Sequence, residues 1–177
     1  MKVLQSERLD LRWFNGDDAA FILQLLNEPS WLQHIGDRQV RTLQQARDWV
    51  QTRLVSGYER QGMGFWAVCL RGQMEPIGLC GLIQRDTLPD VDVGYAFLPA
   101  FWGRGYAKEA AGACLRYGRE VLGLQRILAI TGPDNQASQR VLLGLGMQLE
   151  RRCTLPGESR ETLVYAWQPG PPRQRPA

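Results

Sequence analysis

A mixed α/β sheet with helices on both faces is the fold class this sequence predicts, and three observations predict it. Strand-like runs over 64–70, 77–84 and 91–98 are joined only by the turns Arg71-Gly-Gln-Met-Glu-Pro76 and Asp86-Thr-Leu-Pro-Asp90, which makes an antiparallel meander. Beyond Pro99 the order changes to helix, strand, helix, strand, and that order requires parallel pairing through a crossover. The chain has 177 residues, which favours one domain with one sizeable core.

The elements follow in order. Leu9, Leu11 and Trp13 alternate with Arg8, Asp10 and Arg12, the pattern of a half-buried strand. Asn15 or Asp17 caps a helix over 18–27, which Pro29 then follows. Thr42 opens a second helix over 42–54, with apolar residues at 43, 46, 49, 50 and 54 on one face. After the meander, a helix over 107–121 leads into a strand over 126–131. A helix over 135–145 ends at Gly146, and strands over 147–153 and 161–167 close the body. Residues 1–168 therefore read as a single domain, and the Pro- and Gly-rich residues 169–177 read as a disordered tail.

Composition excludes several function classes. Hydrophobic residues make up 44% and charged residues 22%, as in an ordinary globular chain, and the net charge of +3 is too mild for nucleic acid to be the main partner. His34 is the only histidine and there is no CxxC, so a Cys/His zinc site lacks material and no metal is expected. Cys69 and Cys80 can face each other across a hairpin, although buried free thiols suit this setting better. The longest apolar stretches, such as 65–70, are far too short for a membrane span. The N-terminus lacks a signal-peptide core, so the expected location is the cytoplasm.

The most informative segment runs from Val91 to Ala110. A strand enters a turn containing Gly103 and Gly105, and a helix leaves it. Glycines there permit positive φ and close approach of a ligand, and the first N–H groups of the helix point outward with its positive dipole end behind them. Such a turn holds a pyrophosphate without a metal, with Arg104 and Lys108 adding positive charge. No GxxxxGK[ST] string exists, and the dinucleotide-binding fingerprint fails because Lys108 stands where its third glycine belongs.

Trp102-Gly-Arg-Gly-Tyr-Ala107 resembles the (Q/R)-x-x-G-x-(G/A) loop with which the GNAT superfamily of N-acetyltransferases holds acetyl-CoA. Phe97-Leu-Pro99, the loop and the following Lys108-Glu-Ala110 look like the RimJ/RimL-type branch of that superfamily. Asn135-Gln-Ala-Ser138 followed by Leu145-Gly-Met147 is similar to the family's N-x-x-S … L-G-F element, and 6–12 with Asp17-Asp18 resembles the branch's opening. The resemblance covers residues 6–167 in the family's order. It implies a GNAT fold, a mostly antiparallel sheet of about seven strands splayed at a central parallel pair. It also implies acetyl-CoA as cosubstrate and transfer to a primary amine, either a small molecule or a protein N-terminus.

The resemblance implies that Phe97, Leu98 and Pro99 line the pantetheine arm, while Trp102, Gly103, Arg104, Gly105, Tyr106, Ala107 and Lys108 hold the pyrophosphate. Asn135 and Ser138 would contact the pantetheine or sulfur region, with Ser138 able to protonate the thiolate; their spacing alone also fits helix capping. Asp92 stands where the branch often has Glu in an E-x-G-Y pattern and is the candidate base. Alternation puts it with Gly94 and Ala96, small neighbours that leave room for an amine or water, although spacing alone equally suits a solvated acid at a strand start. Leu142 occupies the place where many members have a Tyr acid. For the acceptor, Asp86 and Asp90 join Asp92 in an acidic cluster that would attract a cationic amine. Trp31, His34, Arg38 and Tyr58 lie in the segment that covers the acceptor side in this fold, with Trp31 and Tyr58 reading equally as core. The alternative function is an inactive acyl-CoA-binding module, and either a monomer or a homodimer is compatible with the chain.

Overall fold

The computed structural model describes residues 1–168, so the expected tail at 169–177 lies outside the described residues. One sheet of eight strands organises the chain, in the order β1-β2-β3-β4-β5-β6-β8-β7. The strands are β1 (Lys2–Gln5), β2 (Leu9–Arg12), β3 (Phe65–Leu70), β4 (Pro76–Ile83), β5 (Asp92–Phe97), β6 (Ile127–Thr131), β7 (Gln148–Thr154) and β8 (Glu161–Trp167). All neighbours pair antiparallel except β5 and β6. The strand beyond the expected seven is β1, four residues at the sheet edge with only two half-buried positions, too few for alternation to register.

The helices are α1 (Ala19–Leu26), α2 (Pro29–His34), α3 (Leu43–Trp49), α4 (Ser56–Gln61), α5 (Tyr106–Glu120) and α6 (Gln136–Gly144). Pro29 does not merely follow a helix: it opens α2 at a position where a missing N–H costs nothing. The helix that begins at Thr42 runs past residue 54 through a π-type turn (Val50–Val55) into α4 and stops at Gly62, whose φ is 68°. Its start is sealed by a capping box between Thr42 and Gln45.

Helix α5 packs on one face of the sheet, where Trp66 meets Tyr117 edge to face at 5.5 Å. On the other face Tyr58 of α4 stacks on Trp13 at 4.8 Å and donates a hydrogen bond to the Phe65 carbonyl. Burial raises the Tyr58 hydroxyl pKa above its ordinary value. The four cysteines are free thiols; Cys80 does not face Cys69 but lies 3.5 Å from Cys114 of α5, because the strand register sets Cys80 opposite Trp66 and Cys69 opposite Pro76.

The join between β2 and α1 depends on a buried ion pair. Arg12 makes two hydrogen bonds to Asp18, at 2.9 and 2.8 Å, and Asp18 also caps the turn by accepting from the Asn15 N–H. Removing one partner strands a buried charge, so Asp18→Ala is expected to lower stability by about 3–5 kcal/mol, read from the urea midpoint.

Candidate active site

β5 and β6 share one register pair, Asp92 with Leu128, next to the bond from the Leu128 N–H to the Val91 carbonyl at 2.9 Å. Among the described residues no further pair joins the two strands, so beyond Asp92 and Leu128 the backbone groups of β5 that face β6 have no partner on that strand. Ligands of α/β sheets bind at such carboxyl-end crevices.

At the end of β5 the chain makes a single 3₁₀ turn (Pro99–Phe101) and then the glycine turn. Gly103 and Gly105 have φ of 72° and 81°, the left-handed region that favours glycine. Gly105 is the N-cap of α5 and no side chain caps that end, so the first N–H groups of a 15-residue helix lack protein acceptors. Helix α6 differs, because the Asn135 side chain accepts from the Ser138 N–H at 3.1 Å and uses its own N-terminus. Of the two helix starts beside the splay, the one at α5 is therefore open to an anion.

The loop is held from both sides. The Trp102 indole donates to the Phe97 carbonyl at 2.8 Å while its ring stays half exposed. From the β1–β2 turn, the Arg8 guanidinium donates to the Arg104 carbonyl at 3.0 Å, pairs with Glu109 at 2.7 Å and lies 4.6 Å from the Tyr106 ring centre. Ser6 donates to the same Glu109 carboxylate at 2.7 Å. Burial would raise the Glu109 pKa, but the hydrogen bonds from Ser6 and Arg8 outweigh it and hold the carboxyl below its ordinary value. Beside the loop lies a cavity of about 410 Å³ lined by Ser6, Glu7, Gly105, Lys108, Gly112 and Arg116, among others. In the sequence Ser6 and Arg8 belong to the opening motif and Glu109 to the string after the glycine loop, and nothing local marks the three as supports of the loop.

Phe97 and Leu98 are buried, Pro99 and Lys108 are exposed, and Tyr106 and Ala107 are half-buried. Tyr95 of β5 reaches across the splay to α6, with its hydroxyl 3.0 Å from the Ser138 hydroxyl. Burial pushes the Tyr95 phenol up to about 12, against the hydrogen bond from Ser138. Leu142 is fully buried and faces the core. Tyr95 figures in the sequence only in the strand alternation and as the last residue of the E-x-G-Y-like pattern, and neither signals this bridge to Ser138.

Asp92 is not flanked by open space. The Phe65 ring fills the room above Gly94, so that a Cβ added there would stand 2.8 Å from it, and Asp92 is 0% exposed. Its Oδ1 accepts from Arg85 Nε at 2.9 Å, and its Oδ2 is buried with no partner. Burial raises the carboxyl to about 6, partly offset by the Arg85 charge and hydrogen bond.

Among the acceptor candidates, Trp31 and Tyr58 are core residues: the Trp31 indole donates to the Gly36 carbonyl at 3.1 Å, and Tyr58 is 3% exposed. His34 and Arg38 are exposed around α2. Asp86 is exposed on its turn, and Asp90 pairs with Arg126 at 2.5 Å. The acidic cluster is thus largely neutralised, Asp92 by Arg85 and Asp90 by Arg126. No cluster of metal-ligating side chains occurs among the described residues, and no helix there is long and apolar enough to cross a membrane.

This geometry matches known proteins. The acetyltransferase (GNAT) domain model covers residues 8–148. The chain belongs to the GNAT acetyltransferase family. The uncharacterised N-acetyltransferase YoaA of Bacillus subtilis (strain 168) is 32% identical over 151 residues, 84% of each chain. A GNAT-family acetyltransferase from Bacillus anthracis superposes with a TM-score of 0.77 at 26% identity, over 95% of this chain and 98% of that one. RimL, a ribosomal L7/L12 α-N-protein acetyltransferase in complex with coenzyme A, shares the fold at 20% identity, with a TM-score of 0.79 over 95% of this chain and 98% of that one. The GNAT fold with its parallel pair, and the enzyme class of N-acetyltransferase, are therefore as the sequence predicts.

Proposed function

We propose that this GNAT enzyme transfers the acetyl group of acetyl-CoA to a primary amine by direct attack in a ternary complex formed in the β5–β6 splay, as in the RimJ/RimL-type branch. The observation that carries this reading is the uncapped start of α5 behind Gly103 and Gly105, beside the β5–β6 pair, which a single register pair joins. Acetyl-CoA supplies the acetyl group as a thioester. The N–H groups of the glycine turn and of α5 hold its pyrophosphate, and the cavity beside Lys108 and Arg116 receives the nucleotide end. Phe97, Leu98 and Pro99 line the pantetheine arm. Free backbone N–H groups of β5 polarise the acetyl carbonyl, so no side chain is needed for the oxyanion.

Asp92 takes the proton of the attacking ammonium, directly or through one water, and Ser138 returns a proton to the departing thiolate with Tyr95 holding its hydroxyl. Asp92 accepts a proton only when ionised. With its pKa raised to about 6, kcat/KM is expected to rise with pH through that value and to be lost below it. Thiol release in the presence of an amine, followed across pH, tests this; an acid limb near an ordinary carboxylate value would remove Asp92 from the role. The second reading, a binding module without turnover, is favoured by the closure of Asp92 and the buried Leu142, and it predicts no amine-dependent thiol release at any pH.

A further inference from the structure

The pair of Asp92 and Arg85 is half satisfied in a way that asks for a ligand. Asp92 sits fully buried on a strand and spends one oxygen on Arg85 Nε, at 2.9 Å. Its other oxygen, Oδ2, has no hydrogen-bond partner. Arg85 comes from the β4–β5 turn with its side chain 36% exposed, and among the described residues its two terminal nitrogens donate to nothing. A buried acceptor left unpaired beside a guanidinium fork left open is unusual in a structure whose buried polar groups are otherwise nearly all partnered.

Charge decides what fits. A simple cationic amine approaching Asp92 meets Arg85; of the nearby acids Asp90 is held by Arg126 and Glu150 by Arg126 and Arg151, while Asp86, exposed on the turn, makes no ion pair among the described residues. An amine that carries its own anion adds two ion pairs to the one already there and brings no net charge. The surroundings are also tight: Leu88 and Leu155, from two turns, pack on Leu128, which pairs in register with Asp92. Resting on the acetyl-transfer reading above, we propose that the acceptor is a small zwitterionic amine of the amino-acid class, its ammonium on Asp92 Oδ2 and its carboxylate on the terminal nitrogens of Arg85. Arg85 is then a specificity-determining residue, since the planar fork of arginine matches a carboxylate bidentately.

The test measures thiol release by the full chain at saturating acetyl-CoA with matched acceptors: free L-amino acids, their carboxamides, the decarboxylated amines, and peptides beginning with the same residues. The wild type is expected to prefer free acids over carboxamides by roughly 10- to 100-fold in kcat/KM, the range for a hydrogen-bonded charge contact. In Arg85→Gln that preference collapses to about twofold or less, and Arg85→Lys, which keeps the charge and loses the fork, retains part of it. The ratio of acid to amide is the quantity read, because any change in the basicity of Asp92 affects both acceptors alike. Calorimetric titration with CoA shows that each variant is folded and still binds the donor. Carboxamides, decarboxylated amines or peptides turned over as well as free acids by the wild type overturn the zwitterion inference and leave the transferase reading intact. A preference that survives in Arg85→Gln overturns it too. No release with any acceptor despite bound CoA overturns both.

Discussion

Asp92→Asn is expected to lower kcat by roughly 10²-fold or more while leaving the affinity for CoA unchanged. The amide is nearly isosteric with the carboxylate, and its oxygen can still accept from Arg85 Nε, so the end of β5 keeps its geometry. Arg85 loses its counter-charge but is exposed enough to be solvated by water. What disappears is the ability to bind a proton, and with it the acid limb of the pH profile near 6. A merely structural Asp92 predicts the opposite: an altered melting temperature with rate and pH profile intact. Measuring both in one variant therefore separates the two roles.

Gly105→Glu is expected to abolish CoA binding. At a φ of 81° every L side chain is strained, which costs roughly 1–2 kcal/mol. The new carboxylate would also stand at the start of α5, where the account puts the diphosphate, and two like charges at 4 Å repel by about 4 kcal/mol in a surface-like dielectric, a factor of roughly 10³. Its Cβ would lie 3.4 Å from Arg8 Nη2, so the new acid would also compete with Glu109 for the arginine that steadies the loop. Gly105→Ala carries the strain without the charge and should lose far less affinity. Unchanged CoA titration in Gly105→Glu would remove the loop from donor binding.

Much of this architecture was legible because its punctuation is local. The β3–β4–β5 meander is written in alternating apolar runs and Gly/Pro turns, and the α5 start in two glycines that only a left-handed turn requires. What was not legible depends on contacts distant along the chain. Arg8 and Glu109 are 101 residues apart, and Tyr95 and Ser138 are 43 apart; no periodicity carries such pairings. Arg85 and Asp92 are only seven apart, but the turn between them folds the guanidinium back over the strand, and strand alternation says nothing about that. The same limit explains Asp92 itself. Small neighbours on its own strand suggested open space, which Phe65 on β3, across β4, in fact fills. Edge strand β1 was missed for a simpler reason, since four residues are too few to display a period.

Direct acetyl transfer to an amine at the β5–β6 splay is tested by initial rates of thiol release over a grid of acetyl-CoA and amine concentrations. Direct transfer gives release that requires the amine, one thiol per acetylated amine by mass spectrometry, and double-reciprocal lines that intersect, as a ternary complex demands. Parallel lines would indicate an acetylated enzyme in place of direct attack, and thiol release indifferent to the amine would contradict transfer altogether.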